Sequence, residues 1–564
     1  MELTDEDISG KVLDHLGLVA AIIEKLGLIE KIDKRLPMKT PKTTMGQRVA
    51  AMILNGLGFI DDRLYMFPEF LSNKPLDRLL GGDVKAEYFN DDALGRCLDG
   101  IYAYGVTKLF SELAFEIGAE QKLLGRTFNI DTTSLSVYGD YEEEEAPACE
   151  IGDCGTAGDQ TAVDPLDASH RAMPRHGFSK DHRPDLKQMV LTLATTGSAG
   201  FPIWMEARSG NDSDKKILHE AAARMRVFCK GLQKAPTFMT VGDSAIYEAC
   251  VKQQSDMIWL TRVPESHKAV KELLGKDDKS YAWVSLEGGY KMCVQETRYR
   301  NVHQRWAIVF SEQAYARELK TFTRRLAETT KVQENALWHL GNQVFQCEKD
   351  AAKALKVFTR KLSLHKVTAT IEELKQHKGK GRPGKGAAPM VVGYKINGAL
   401  TKDEGKVQAL LNTKGRFVLA TNQGDRELLP DAAMLSEYKG QSKTESGFKF
   451  IKDDTFEVSS IFLKKPERIA ALMMVMTLCL MIYGVSQYNL REALAAAKDT
   501  IPNQLKKEVA SPSMKWVYRL FYGVQVVALT LKGLTREIVI NLKAVTKKII
   551  RYFGSRAMEI YGVT

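Results

Sequence analysis

The sequence lacks the motifs of several common enzyme and binding classes. Its eight cysteines are scattered, and Cys149 and Cys154, the closest pair, have no second pair at zinc-finger spacing. No G-x-x-x-x-G-K-[ST] loop occurs, which argues against ATP binding. No G-x-S-x-G or cysteine–histidine signature, no repeat and no heptad array stands out either. The scattered cysteines favour a reduced, cytoplasmic compartment.

Charge and hydropathy restrict the function only moderately. The chain has 564 residues, 44% of them apolar, so it can bury a sizeable core. A net charge of +10 favours an anionic partner without demanding one. The acidic start, MELTDEDISG, is not expected to act as a signal peptide. The uncharged run Ile469–Val485 is at the short limit for crossing a bilayer, and we interpret it as a buried core helix with no membrane partner.

The pattern of apolar and β-branched residues changes several times along the chain. Up to about residue 120 the apolar residues have helical spacing. From Thr127, β-branched and aromatic runs alternate with helical patterns, which indicates an α/β layer architecture. We predict a helical N-terminal domain over 1–120, the first part of the α/β core over 121–264, a mixed insertion over 265–410, the second part of the core over 411–487, and a basic helical region over 488–564.

Three acidic residues lie at comparable places in these predicted elements. Asp131 lies inside the first strand, Asp243 closes a later strand, and Glu445 lies on the helix after the last strand. Two divalent cations about 4 Å apart need oxygen ligands from several chain segments, which strand ends and a covering helix supply. Taken singly, an aspartate at a strand end is usually a turn residue, and a helical glutamate is usually a solvated charge.

The stretch YKGQSKTESGFKFIKD, from Tyr438 to Asp453, has no clean amphipathic pattern. On one continuous helix, Tyr438, Gln441, Glu445 and Lys452 fall within an arc of roughly 60°. We therefore predict that these four side chains share one face.

The motifs together resemble those of the DDE transposases of bacterial insertion sequences, in the branch with a Tyr-Arg-Glu-Lys signature. The spacing Y-x2-R-x3-E-x6-K is intact, with Gln441 in the arginine position. The stretches Asp131-Thr132-Thr133, GDSAIY around Asp243, and HGFSKDHRPDLKQMVLTL over 176–193 are also similar to that branch. The resemblance covers about residues 40 to 500.

This resemblance implies an RNase H-like core in which Asp131, Asp243 and Glu445 hold two Mg²⁺ ions, with Mn²⁺ as a substitute. It implies a long insertion between the second and third acids, which fits the predicted insertion. The implied reaction is phosphoryl transfer at DNA: cleavage at the element ends, then strand transfer into target DNA. The implied partners are terminal inverted repeats, target DNA and a second copy of the chain on paired ends, in the cytoplasm of a bacterial or archaeal cell, associated with the nucleoid.

The resemblance also implies DNA contacts around the carboxylates. Lys452 would neutralise a phosphate, Tyr438 would pack on a sugar or base, and Gln441 would offer neutral hydrogen bonds where the family has a charged fork. Further candidates are the lysines of the same stretch and the basic loop before the second strand: Lys443, Lys449, Lys180, His182 and Arg183. For each loop residue, the alternative is a solvated loop.

Several alternatives stay open. Gln441 keeps open a catalytically weakened or inactive DNA-binding relative of a transposase, and an unrelated α/β hydrolase or a membrane-associated protein is a more distant alternative. The N-terminal helices serve either packing or DNA-end recognition. The acidic run from Tyr141 to Pro147 is interpreted as a solvated loop, and the basic run from Lys378 to Gly386 either follows DNA or is a linker.

Overall fold

The computed structural model divides the chain into two compact units. The first unit combines Met1–Leu260 with Ser436–Thr564, and the second unit is Thr261–Leu435. The structure describes residues 8–39, 41–58, 66–139, 141, 172–180, 182–232, 238–252, 257–377, 388–453, 463–531 and 534–564.

The N-terminal part of the first unit is helical, as predicted, after one short strand. Thr44 begins the third helix with a capping box to Gln47, and Asn90 caps the sixth helix, so local polar side chains define these starts. The elements are β1 (Ile8–Val12), α1 (Leu16–Lys25), α2 (Leu28–Arg35), α3 (Met45–Gly56), α4 (Phe67–Ser72), α5 (Leu76–Leu80), a 3₁₀ turn (Ala86–Phe89), α6 (Asp91–Tyr104) and α7 (Val106–Glu120).

A mixed sheet follows in the same unit. Its elements are β2 (Thr127–Ser136), β3 (Gln188–Thr196), β4 (Phe201–Ser209), α8 (Asp214–Lys230), β5 (Met239–Gly242), α9 (Ser244–Lys252) and β6 (Trp259–Arg262). The strand order is β4-β3-β2-β5-β6. Strand β3 is antiparallel to both β4 and β2, whereas β2 and β5 are parallel. Every residue of β3 is buried, which agrees with its nearly continuous run of apolar residues and threonines.

The second unit contains an antiparallel sheet in the order β12-β9-β8-β7 and a separate long hairpin of β10 and β11. Its elements are α10 (Lys268–Leu274), a 3₁₀ turn (Asp278–Ser280), β7 (Val284–Leu286), β8 (Tyr290–Tyr299), β9 (Val302–Ser311), α11 (Glu312–Asn342), α12 (Glu348–Lys361), β10 (His365–Gln376), β11 (Met390–Lys402), α13 (Glu404–Thr413), β12 (Arg416–Thr421) and α14 (Asp431–Lys439). This unit begins near the predicted start of the insertion but continues through β12, beyond the predicted end at residue 410.

The remaining elements return to the first unit. They are α15 (Gln441–Ile451), α16 (Pro466–Ala496), β13 (Ile501–Pro502), β14 (Glu508–Val509), α17 (Met514–Leu520), β15 (Gln525–Leu531), β16 (Leu534–Ile540), α18 (Ala544–Phe553) and α19 (Ser555–Tyr561). The prediction that the region after 488 is helical is therefore wrong for β15 and β16. These strands form a three-stranded sheet with β1, so pairing across most of the chain decides their structure.

Helix α16 contains the apolar run Ile469–Val485, and it is long and apolar enough to cross a membrane by length and composition. In the structure, 83% of the most apolar 18-residue stretch of this helix is buried, so the prediction of a core helix is confirmed. Near its start, Arg468 forms two 2.7–Å hydrogen bonds with the carboxylate of Asp99 on α6. The helix thus lies inside the first unit and packs against the N-terminal helices.

Candidate active site

Asp131 and Asp243 occupy equivalent positions on neighbouring chain segments. In the parallel pairing of β2 and β5, Asn129 lies opposite Val241. Each aspartate follows two residues later, Asp131 still within β2 and Asp243 directly after β5. Because adjacent strands are about 4.8 Å apart, this register places the two aspartates side by side in the middle of the sheet, where β5 ends. The Oδ1 atom of Asp243 accepts a 2.7–Å hydrogen bond from the Ala245 N–H at the start of α9.

Helix α15, which carries the exposed Glu445, packs over β2 and β3. The buried Thr444 fixes it, because its hydroxyl lies 2.7 Å from the Thr195 hydroxyl on β3 and 3.4 Å from the Asn129 carbonyl on β2. A Cβ atom at Gly447 would lie 3.0 Å from Leu480 of α16, so the helix is held between the sheet and α16. This packing positions Glu445 beside the strand that carries Asp131.

The three carboxylates interact electrostatically. Burial raises the pKa of Asp131 to about 6, and the negative charges of Asp243 and Glu445 add to that rise. The Thr132 N–H, 2.7 Å from Asp131 Oδ1, and the ammonium of Lys180 act in the opposite direction on this pKa. Asp243 and Glu445 therefore lie close enough to Asp131 to repel its negative charge, and a cation would relieve this repulsion.

The donor set fits a hard divalent cation in part. Carboxylate oxygens are the ligands that Mg²⁺ prefers, and Mg²⁺ usually takes one or two protein carboxylates together with substrate phosphates. Across the described ranges, no three His, Cys, Asp or Glu side chains are grouped so that they could hold one ion. The arrangement is therefore compatible with ions that each use one or two of these carboxylates and complete their shell with water and phosphate.

The predicted single helix from Tyr438 to Lys452 is wrong. Tyr438 lies in α14, Gln441 begins α15, and Lys452 is the residue after the last turn of α15. The two helices meet at Gly440, where a Cβ atom would lie 2.9 Å from the Glu437 carbonyl and 3.0 Å from the Asn129 amide. This close approach to β2 requires a glycine, and the chain divides there into two helices, with α14 ending at Lys439.

The candidate DNA contacts of this stretch differ in accessibility. Gln441 is only 8% exposed, which argues against the predicted direct contact with a DNA phosphate. Because residue 441 is buried, we do not expect the substitution Gln441→Arg to strengthen DNA binding. Lys443 donates a 3.0–Å hydrogen bond to the Gly197 carbonyl, and burial lowers its pKa. Lys449 is exposed, and Tyr438 and Lys452 are half-buried.

The basic loop before β3 adjoins the carboxylates through Lys180. Its ammonium donates to the backbone carbonyl and to the hydroxyl of Thr132, at 2.6 and 3.0 Å, directly after Asp131. His182 is exposed and has a positive φ of 58°. Arg183 is also exposed, and its guanidinium forms a bidentate pair with Asp185, at 2.9 and 2.7 Å. Of the three predicted loop residues, Lys180 is the one that reaches the strand of Asp131.

Sequence reasoning missed two residues that build the site, Thr444 and Gly440. Both act through contacts with β2 and β3, and neither has a local signal apart from its place beside Glu445 and Gln441. Two further predictions, the acidic loop 142–147 and the basic run 378–386, lie outside the described residues. Helix α12 carries four basic side chains that are all exposed: Lys353, Lys356, Arg360 and Lys361.

Comparison with known proteins adds little on function. Residues 8–115, which include β1 and most of the N-terminal helices, match a family described as a domain of unknown function, DUF4277. No curated protein matches the sequence. The chain is similar to a solved structure titled as a piggyBac transposase synaptic complex with hairpin DNA, at 10% identity and a TM-score of 0.32, over 90% of this chain and 78% of that chain.

Proposed function

We propose that the protein is a DNA transposase of the DDE type, which cuts DNA at the ends of its element and joins those ends to a target. The observation that carries the proposal is that the pairing of β2 with β5 and the packing of α15 on β2 and β3 bring Asp131, Asp243 and Glu445 together from distant parts of the chain. The pKa of Asp131, raised by burial and further by the charges of Asp243 and Glu445, agrees with this arrangement. These are the three acids that the motif resemblance selects. The strand order β4-β3-β2-β5-β6, with β2 parallel to β5, also supports an RNase H-like core.

We propose that Asp131, Asp243 and Glu445 hold two Mg²⁺ ions, or Mn²⁺ in their place. Bound ions would supply charge stabilisation to the attacking and the leaving oxygen of an in-line displacement. The raised pKa of Asp131 supports this assignment, because an ionised carboxylate surrounded by like charges gains most from a cation.

The residues around the carboxylates would orient the DNA strand. Lys180, fixed on Thr132, places a positive charge beside Asp131 and can neutralise a phosphate near the cut. Lys449 is exposed on the same helix as Glu445, and Lys452 follows that helix, so both can contact phosphates of a strand that lies along α15. Tyr438, which is half-buried on α14, is also proposed to contact DNA.

The proposed partners are the terminal inverted repeats of the element and its target DNA, and a second copy of the chain when two ends are paired. The proposed location is the cytoplasm of a bacterial or archaeal cell, at the nucleoid. A DNA-binding relative with weak or no cleavage is the second candidate, because Gln441 replaces an arginine of the signature and is buried.

The test uses purified full-length protein, Mg²⁺ and a duplex made from the DNA that flanks its coding sequence. We expect cuts at the element ends, and we expect Asp131→Asn, Asp243→Asn and Glu445→Gln each to lower the cleavage rate about a thousandfold or more while DNA binding persists. Glu328→Gln, at an exposed helical glutamate, is the matched control and should cleave normally.

Cleavage that persists in one carboxylate variant would remove that residue from the site. Binding of the flanking DNA without any cleavage by the unaltered protein would favour the second candidate. Absence of both binding and cleavage would contradict the proposed function.

A further inference from the structure

Helix α12, in the second unit, carries a row of basic side chains on one face. Lys349, Lys353, Lys356 and Arg360 follow one another at intervals of four, three and four residues. On a helix that advances about 100° per residue, these positions fall within an arc of about 60°. All four side chains are exposed, and we call them the basic stripe. At a rise of about 1.5 Å per residue, the stripe is about 16 Å long.

The opposite face of α12 is apolar and fixes the orientation of the helix. Ala351 is fully buried there, and Leu355 and Phe358 are half-buried. Through this face α12 packs in the second unit, where its neighbours are β10, β11 and α11. Because the apolar side chains lie roughly opposite the basic stripe on the helix, the stripe faces away from this packing and toward solvent.

The charges of the basic stripe are not neutralised by the chain itself. Across the residues that the structure describes, none of the four side chains forms an ion pair. The acidic residues of the helix, Glu348 and Asp350, lie about 100° to either side of Lys349. Like charges three or four residues apart destabilise a helix, and Lys349 also places a positive charge at the positive end of the helix dipole. The stripe therefore destabilises α12, and no described ion pair offsets this effect.

Helix α11, in the same unit, shows a different distribution of charge. Its 31 residues include five lysine and arginine residues and four glutamates, and Arg324 pairs with Glu328 at 3.9 Å. Helix α12 has five lysine and arginine residues and two acidic residues within 14 residues. Solvated helices usually intersperse the two signs, as α11 does, whereas a stripe of one sign attracts a partner of the opposite sign. The basic stripe thus indicates an anionic partner with a linear array of charges.

We propose that the basic stripe binds the phosphate backbone of duplex DNA without reading its sequence. A DNA strand has one phosphate about every 3.4 Å along the duplex axis, so a stripe of about 16 Å spans about five phosphates. Lysine side chains are flexible and act on phosphates as point charges, so they tolerate this spacing. Contacts with phosphates position a protein on DNA but carry no sequence information. This inference rests on the proposed function for its choice of DNA as the anionic partner.

The experiment measures how strongly salt weakens DNA binding by the full-length protein. Fluorescence anisotropy is recorded with two labelled duplexes of equal length, the flanking DNA and a scrambled sequence, from about 0.05 to 0.3 M NaCl with Ca²⁺ in place of Mg²⁺. The stripe variant combines Lys349→Gln, Lys353→Gln, Lys356→Gln and Arg360→Gln. The matched control lowers the net charge equally, at four exposed lysines in separate parts of the chain: Lys25→Gln, Lys230→Gln, Lys271→Gln and Lys507→Gln.

A third variant keeps the charge of the stripe and changes its chemistry. It combines Lys349→Arg, Lys353→Arg, Lys356→Arg and Arg360→Lys. Thermal melting of every variant reports on folding, and single-turnover cleavage of the flanking DNA with Mg²⁺ at saturating protein reports on the chemical step.

Each phosphate contact contributes about 0.9 to the slope of log K against log salt concentration. We therefore expect the stripe variant to lower this slope by about 3 to 4, and to bind both duplexes about tenfold or more weakly at about 0.1 M salt. The matched control should lower the slope by less than about 1, and the charge-retaining variant should bind normally. Cleavage at saturation should stay near the normal rate, because the stripe acts in binding.

The inference is overturned if the stripe variant keeps the normal slope, if the matched control loses as much, or if the loss is confined to the flanking sequence. In these cases cleavage by the unaltered protein still supports the proposed function. Absence of both binding and cleavage in the unaltered protein would overturn the proposed function, and the inference with it.

Discussion

Helices α11 and α16 both contain 31 residues, yet they differ in almost every other respect. Helix α16 is buried along most of its length in the first unit, and its centre carries no charged residue. In α11, of the second unit, Leu326 and Leu337 are the buried residues, and the rest of the helix is solvated to varying degrees. Burial therefore explains the membrane-like hydropathy of α16, whereas the length of a helix indicates nothing about its surroundings.

The same contrast holds for charged groups. Burial and two neighbouring carboxylates raise the pKa of Asp131, whereas the exposed Arg183 guanidinium lowers the pKa of Asp185. The pKa values of two aspartates in one chain are thus shifted in opposite directions by their surroundings. Matched substitutions at buried and exposed positions test how far this difference in burial controls stability.

The largest effect is expected when a lysine replaces a valine in each of the two long helices. Val475 of α16 is 2% exposed, and Val332 of α11 is 69% exposed. Val475→Lys buries an unpaired charge and should lower the free energy of unfolding by more than about 4 kcal/mol. Val332→Lys should change it by less than about 0.5 kcal/mol. Chemical denaturation measures both, and equal losses in the two variants would contradict the comparison.

A smaller loss is expected from a buried ion pair. Glu206 is fully buried on β4, where Arg224 donates two hydrogen bonds to it at 2.9 and 2.7 Å, and the Trp204 indole N–H adds a third at 3.0 Å. Glu206→Gln removes the charge opposite Arg224 and should cost about 3 kcal/mol of unfolding free energy.

The control for this loss is Glu328→Gln on α11. Its exposed carboxylate lies 3.9 Å from Arg324, and exposed helical pairs contribute about 0.5 kcal/mol or less. Urea denaturation of both variants at low ionic strength makes the comparison. A Glu206→Gln protein as stable as the Glu328→Gln protein would show that the buried pair does not stabilise the fold.

Asp131 gives a pH-dependent effect of intermediate size. Its pKa rises from an ordinary 3.8 to about 6 in the folded protein, so the folded state holds this proton more tightly than the unfolded state. The protonated group contributes fully to the free energy of unfolding below pH 4. This contribution is lost as the pH rises through 6, which lowers the free energy of unfolding by up to about 3 kcal/mol.

Without divalent cations, Asp131→Asn should therefore be more stable than the unaltered protein at pH 7 and about equally stable at pH 4. Thermal melting across this range measures the difference, and Asp185→Asn is the exposed control. A stability difference that is constant from pH 4 to pH 7 would show that burial does not raise the pKa of Asp131. Added Mg²⁺ at pH 7 should stabilise the unaltered protein more than Asp131→Asn.

The sequence was sufficient to predict the structure where local patterns and tertiary contacts agree. Strands β2 to β5 follow β-branched and apolar runs. Asp131 lies inside β2 and Asp243 directly after β5, as predicted, because these runs mark the strands locally. Helix α16 is predicted to be core because its uncharged run is at the short limit for crossing a bilayer and no other segment suggests a membrane. In each case the pattern within one segment already determines which side chains are buried.

Prediction failed where distant segments decide the structure. Strand β16 has β-branched residues and charges that fit a helix equally well, and its pairing with β15 makes it a strand. Strand β1 pairs with β15, more than 500 residues away, so no local signal marks it. The helix break at Gly440 depends on contact with Asn129, and the spacing of Tyr438, Gln441, Glu445 and Lys452 cannot reveal that contact.

The smallest effect concerns a hydroxyl that positions Glu445. Thr444 of α15 is fully buried, and its hydroxyl lies 2.7 Å from that of Thr195, which is 1% exposed. Thr444→Val keeps the shape of the side chain but leaves the Thr195 hydroxyl without this partner, which should cost about 1 to 2 kcal/mol. On α11, the exposed Thr323 hydroxyl donates to the Leu319 carbonyl of its own helix, and Thr323→Val should change stability by less than about 0.5 kcal/mol.

The two threonine variants also separate stability from positioning of the site. If Thr444 holds α15 on the sheet, Thr444→Val should slow DNA cleavage even at temperatures where the protein is fully folded, because Glu445 is the next residue. Thr323→Val should cleave at the normal rate. Cleavage by folded Thr444→Val that equals the normal rate would mean that the packing of Gly447 between the sheet and α16 is sufficient to place Glu445, and that the hydroxyl contact contributes only to stability.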